Sequence, residues 1–163
     1  MPVAPIIPNL WFDTQAEEAA EFYCSVFPNS RIVSVARYTD LGPGPAGSVM
    51  TVEFELDGQR FVGINGGPVF TFSEAVFFQI TCADQAELDR YWDALLADGG
   101  VESECGWLKD RYGLSWQVVP EGMEELFADP DPARVRRAVQ AMFGMRKLDV
   151  AALRAAADGV PVG

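Results

Sequence analysis

Histidine is absent from all 163 residues. That removes the commonest general base near neutral pH and the commonest ligand of transition metals. Basic residues are scarce as well: 12 Lys plus Arg stand against 24 Asp plus Glu, a net charge of −12. A surface that negative repels phosphate backbones and anionic head groups, so neither nucleic acid nor a membrane is an expected partner. No stretch approaches the roughly 20 apolar residues of a membrane span. Met1-Pro2-Val3-Ala4-Pro5 has neither the basic start nor the long apolar run of a secretory leader, which points to a cytoplasmic protein. Cysteine is sparse too, at positions 24, 82 and 105 without C-x-x-C spacing, so the three read as free thiols. Cys24 in an amphipathic helix and Cys82 at the end of an apolar strand read as small hydrophobes. Cys105, beside Gly106 and Trp107 in an expected loop, is the one whose reactivity invites a test.

The remaining residues form a regular pattern, ordinary for a soluble globular chain at 49% hydrophobic and 22% charged. Ile6 to Phe12 reads as a strand. Thr14-Gln15-Ala16-Glu17 has the form of a capping box, and Ala16, Ala19, Ala20, Tyr23 and Phe27 recur at helical spacing up to Pro28-Asn29. Ile32 to Tyr38 is β-branched and aromatic, a second strand. The run from Gly42 to Gly47 is a loop; it carries two prolines and leads into another strand, which argues against a phosphate cradle. Met50, Val52, Phe54 and Leu56 alternate with polar residues, Asp57-Gly58 supplies a hairpin turn, and Arg60 to Asn65 returns. The order is βαβββ.

The pattern then restarts. Ala75 to Cys82 is an apolar strand, Asp84 caps a helix with Glu87 three residues on, and Leu88, Tyr91, Trp92, Leu95 and Leu96 form its stripe up to Gly99-Gly100. A shift of 70 lays Gln15-Ala16-Glu17 onto Gln85-Ala86-Glu87; a shift of 55 lays Gly58 onto Gly113 and the strand Leu114 to Val119. The second half thus repeats the first with a shorter middle. Beyond Pro120 come helix formers: Glu121 to Ala128, a helix capped by Asp131-Pro132 with Val135, Val139, Met142 and Phe143 as an apolar stripe, and a last one from Asp149. The fold class expected is α+β, two βαβββ modules with added C-terminal helices. Module one spans about 1–68, module two about 69–120 and the C-terminal helices about 121–158, within a single domain over 1–163.

Particular runs carry a resemblance. Asn9-Leu10-Trp11-Phe12-Asp13, Phe27-Pro28-Asn29-Ser30, the Gly42 to Gly47 loop, Asn65-Gly66-Gly67-Pro68, and Cys105 to Asp110 leading to Gly113-Leu114-Ser115-Trp116-Gln117-Val118-Val119-Pro120 stand in order along nearly the whole chain. Together they resemble the PhnB-like branch of the vicinal-oxygen-chelate superfamily, whose members often bear a 3-demethylubiquinone-9 3-methyltransferase label. The resemblance implies curved mixed sheets around a cavity, a homodimer, and one metal ligand on the first and last strand of each module in the metal enzymes. Those positions fall near Pro8, near Val62 to Ile64, at Phe77 and at Gln117. None is a histidine or carboxylate, so no metal and no other cofactor is expected.

If Phe77 and Gln117 point inward, the period of two places Gln79, Thr81, Ser115 and Val119 there too, with Phe78 and Trp116 beneath the helices. Phe77, Gln79, Trp107 and Gln117 are then the candidate ligand-binding residues, aromatic walls with a few amides. The other reading is that Gln79 and Gln117 bond each other and fill a closed core. Trp107 and Lys109 resemble a loop at the cavity mouth, stacking on a ligand and pairing with an anion; Lys109-Asp110 reads equally as surface charge. Glu53 and Glu55 share a strand face, as paired catalytic carboxylates do, but alternating Glu opposite an apolar face favours a wet surface.

The function expected is metal-free binding of a small molecule. The alternative is an enzyme acting on a small aromatic or quinone-like substrate. It is either a methyltransferase, although no glycine-rich strand-to-helix turn for S-adenosylmethionine is visible, or a lyase or isomerase with Glu53, Cys105 or Lys109 as base. A third reading is a structural protein whose C-terminal helices contact a partner.

Overall fold

The computed structural model describes residues 6–161; Met1 to Pro5, read above for a leader, lie outside the described residues. The chain divides into two compact units after Phe72, each described here by itself.

In the first unit, Val52, Phe54 and Leu56 alternate along a strand and are buried together with Ala16, Ala19, Ala20 and Tyr23 of a helix. Small alanines let the helix approach the sheet, and the Tyr23 and Phe54 rings stack at 6.3 Å. The elements are β1 (Asn9–Phe12), α1 (Ala16–Val26), β2 (Arg31–Arg37), β3 (Val49–Leu56) and β4 (Gln59–Asn65). Their sheet order is β1-β4-β3-β2, with β1 parallel to β4 and the other pairs antiparallel. Asp57 (φ 47) and Gly58 (φ 83) both adopt the left-handed region that a two-residue hairpin turn needs.

Two expectations change. β1 is shorter than Ile6 to Phe12, because its pairing with β4 begins at Asn9. The capping box at Thr14 and Glu17 does not form. Gln15 occupies the cap position without a side-chain bond, and the amide of the buried Ala16 donates instead to Asn65 Oδ1 at 2.8 Å. A side chain 49 positions away outcompetes the local one because it also holds the Val49 carbonyl through Nδ2 at 3.1 Å, so one amide fastens the helix to two strands.

The second unit repeats the plan with β5 (Phe77–Cys82), α2 (Gln85–Leu96), β6 (Val101–Glu102), β7 (Trp107–Lys109) and β8 (Ser115–Pro120). Its order is β5-β8-β7-β6, again with the first and last strands parallel. Neither sheet closes on itself. Here the helix cap is local, as expected: Asp84 Oδ1 accepts from Glu87 N at 2.8 Å while the Glu87 carboxylate accepts from Ala83 N at 2.7 Å. Leu88, Tyr91, Trp92 and Leu95 form the buried stripe. The residues Trp107 to Lys109, expected in a loop, are strand β7, with Leu108 fully buried between its neighbours.

Three helices follow: α3 (Met123–Phe127), α4 (Pro132–Phe143) and α5 (Val150–Asp158). Asp131 and Asp149 cap the latter two through Ala133 N and Ala152 N. The connection between α4 and α5 is sewn to the module. Met145 and Arg146 carbonyls accept from Cys105 N and Gly106 N at 2.9 and 2.8 Å, and Gln85 bonds both the Leu148 carbonyl and the Val150 amide. Leu148 is thereby fully buried. The α4 stripe is not: among Val135, Val139, Met142 and Phe143 none is buried, and Phe143 is 65% exposed. Among the described residues no helix is long and apolar enough to cross a membrane.

Candidate functional site

The register of the second sheet decides which side chains share a face. Phe77 lies beside Ser115 and Ser115 beside Lys109; Gln79 lies beside Gln117 and Gln117 beside Trp107. With alternation along each strand, Phe77, Gln79, Trp107 and Gln117 stand on one face, opposite the buried Leu108, Trp116 and Val118. The four ligand-binding candidates therefore share a face, but of the four only Phe77 and Trp107 line the cleft there. Phe77 and Trp107 meet edge to face, centroids 5.2 Å apart at 86°, and they wall a cleft of about 460 Å³ whose lining includes Glu74, Val101, Glu102, Ser103, Lys109 and Ser115.

The amides do not bond each other. Gln117 Nε2 donates to the Cys105 carbonyl at 3.2 Å and Gln79 Nε2 to Thr81 Oγ1 at 3.4 Å. Gln117 is thus pinned beside Trp107 by the turn that precedes β7, whereas Gln79 is exposed near the strand edge.

The three candidate bases fare differently. Lys109 forms an ion pair with the Glu74 carboxylate, and that bond, with a backbone N–H, holds the Glu74 carboxyl below its usual range. Asp110, only 3% exposed, accepts from Tyr112 N (2.9 Å), Leu114 N (3.1 Å) and Trp116 Nε1 (2.9 Å), which makes it the organiser of the β7–β8 turn. Cys105 is buried rather than open in a loop; desolvation, and secondarily Glu104, pushes its thiol up, and Sγ lies 3.6 Å from the Met142 carbonyl. A thiol so placed is a poor nucleophile. Cys82 is pushed up to about 12, mainly by burial. Glu53, in the first unit, pairs with Arg60 at 3.5 Å, and Glu55 pairs with Arg60 at 3.6 Å and Arg31 at 3.1 Å. The two carboxylates form an ion-pair ladder on the sheet surface.

Neither group that the family context implies fits these residues. Among the described residues no three Cys, Asp or Glu side chains converge on a point, and an aliphatic, aromatic and amide set offers too few hard donors for a divalent cation. For a methyl donor, the turn from β1 to α1 is Asp13-Thr14-Gln15, without the glycines that bring backbone close to a nucleoside.

Paired βαβββ units of identical strand order define the class: an α+β protein of the glyoxalase-like fold. The family model for 3-demethylubiquinone-9 3-methyltransferase matches residues 4–119, and the chain belongs to that family, in the PhnB-like branch of the vicinal-oxygen-chelate superfamily. A solved PhnB protein from Bacillus cereus is 37% identical, over 72% of this chain and 99% of its own, with a TM-score of 0.66. Protein PA1353 from Pseudomonas aeruginosa shares 20% identity over 72% of this chain and 98% of its own, TM-score 0.60. The fosfomycin resistance protein FosX from Listeria monocytogenes shares 13% over 77% and 97%, TM-score 0.55. At those identities the last two show the fold alone. No curated protein sequence matches significantly. The matched region stops at the end of β8, so α3 to α5 lie beyond it.

Asp110 and Ser115 are the residues that sequence reasoning underrated. An Asp three residues before Gly113, in a turn between strands, was the available signal for the first, and the alternation that pointed Ser115 inward was the signal for the second.

Proposed function

We propose that this protein binds a small, largely apolar aromatic molecule against the Phe77–Trp107 face of its second module and does not transform it. The cleft carries the reading: about 460 Å³ with Phe77, Trp107, Val101 and Leu108 as apolar walls and charged or hydroxyl side chains between them is the size and mixed make-up of a small-molecule site. Its chemistry supports binding over catalysis, since Lys109 is paired with Glu74 and burial pushes the Cys105 thiol up. A ligand at a hundredfold excess over its dissociation constant would stabilise the fold by about 2.7 kcal/mol. A thermal-shift screen of uncharged aromatics, followed by chromatography of the incubated ligand, is the test. Stabilisation with the ligand recovered unchanged is expected; conversion of the ligand would overturn the reading.

The same reading makes the protein a homodimer, with module one, module two and the C-terminal helices as a single domain. Support comes from α4, whose outward face joins Val135, Val139 and Phe143 along an open groove. Antiparallel pairing of two copies of α4 matches apolar to apolar. Sedimentation of the full chain as a dimer, and of Val139→Glu as a folded monomer, is the expected result; a monomeric wild type contradicts it.

A further inference from the structure

Ser115 is 3% exposed and its Oγ has no hydrogen-bond partner. Buried hydroxyls are nearly always bonded, and one that is not costs stability. In the register it stands between Phe77 on β5 and Lys109 on β7, and it is one of the residues that line the aromatic cleft. Alanine at this position would remove the unmet polar atom at the cost of a void of one atom's size.

We infer that Ser115 Oγ is the recognition group of the cleft, and that the ligand is an uncharged aromatic bearing a hydroxyl or carbonyl that bonds to it. This rests on the binding reading above. A serine hydroxyl both donates and accepts, so either ligand group satisfies it. Charge is argued from the rim. Lys109, the one cation lining the cleft among the described residues, is engaged by Glu74, and Glu102 pairs with Arg146 at 3.7 Å. A carboxylate entering the cleft would find no free cation and would lose its hydration without compensation. A neutral ring with one polar substituent meets all three features, with its faces and edges against Phe77 and Trp107 and its oxygen toward Ser115.

The test uses three probes of one size, 4-methylphenol, para-xylene and 4-methylbenzoate, titrated calorimetrically into the full-length wild type and Ser115→Ala. For the wild type we expect 4-methylphenol to bind about tenfold more tightly than para-xylene, the worth of one good hydrogen bond, and 4-methylbenzoate more weakly than either. Ser115→Ala is expected to lose that tenfold preference, to keep its para-xylene affinity, and to unfold at the same or a higher temperature than wild type without ligand. Equal binding of 4-methylphenol by both proteins, or tight 4-methylbenzoate binding, overturns the inference while leaving the binding site standing. A lower unfolding temperature for Ser115→Ala also overturns it, since the hydroxyl would then have a structural partner. Failure of all three probes to bind wild type removes the binding reading and this inference with it.

Discussion

Asp110 shows how one side chain fixes a local geometry. A carboxylate carries about four lone-pair sites and here accepts from two backbone amides and an indole while almost wholly buried. The bonds close the β7–β8 turn and hold Trp116 beneath the sheet, so the opposite face, with Trp107 and Gln117, is set in register. Asp110→Ala leaves three donors unmet, and the expected loss is about 3 kcal/mol or more in chemical denaturation; a loss under about 1 kcal/mol would show that the turn holds itself. Sequence inspection saw Asp110 only as a surface neighbour of Lys109. The reason is physical: its partners are backbone amides and a tryptophan nitrogen, and no local pattern announces them. Cys105 escaped for a related reason. Its turn looks exposed until the α4–α5 connection covers it through the Met145 and Arg146 carbonyls.

The two helices that cover the sheets begin with similar residues and are started by different means. At α2 the cap is made within four residues by Asp84 and Glu87; at α1 the equivalent bond comes from Asn65 at the end of β4. Asp84→Ala should therefore cost about 1 kcal/mol, Thr14→Ala less than about 0.5 kcal/mol, and Asn65→Ala more than Thr14→Ala, all read by urea denaturation. A Thr14 effect as large as that of Asp84 would restore the capping box. Strand alternation and helical stripes were legible from the chain because they express burial of one face. Caps, the short β6 and the strand character of Trp107 to Lys109 were not, because they depend on which distant segment arrives to pair with them.

For the whole molecule, two units with the same strand order, β1-β4-β3-β2 and β5-β8-β7-β6, come from a repeat whose residue matches are few. The parallel pairing of first and last strands needs only apolar strands of the right length and a helix between them, so the topology persists while side chains diverge. That divergence is where function resides. The first unit puts the ladder Arg31, Glu55, Arg60 and Glu53 on its sheet surface, whereas the second puts Phe77, Gln79, Trp107 and Gln117 on the equivalent face. The family name speaks of methyl transfer; the face of the second unit offers a cleft walled by Phe77 and Trp107. The most direct test is calorimetric titration of para-xylene into wild type and Trp107→Ala. The account predicts measurable binding by wild type and a loss of about tenfold or more on removing the indole wall, with the unliganded variant still folded by circular dichroism. Equal affinity in a folded Trp107→Ala would contradict it.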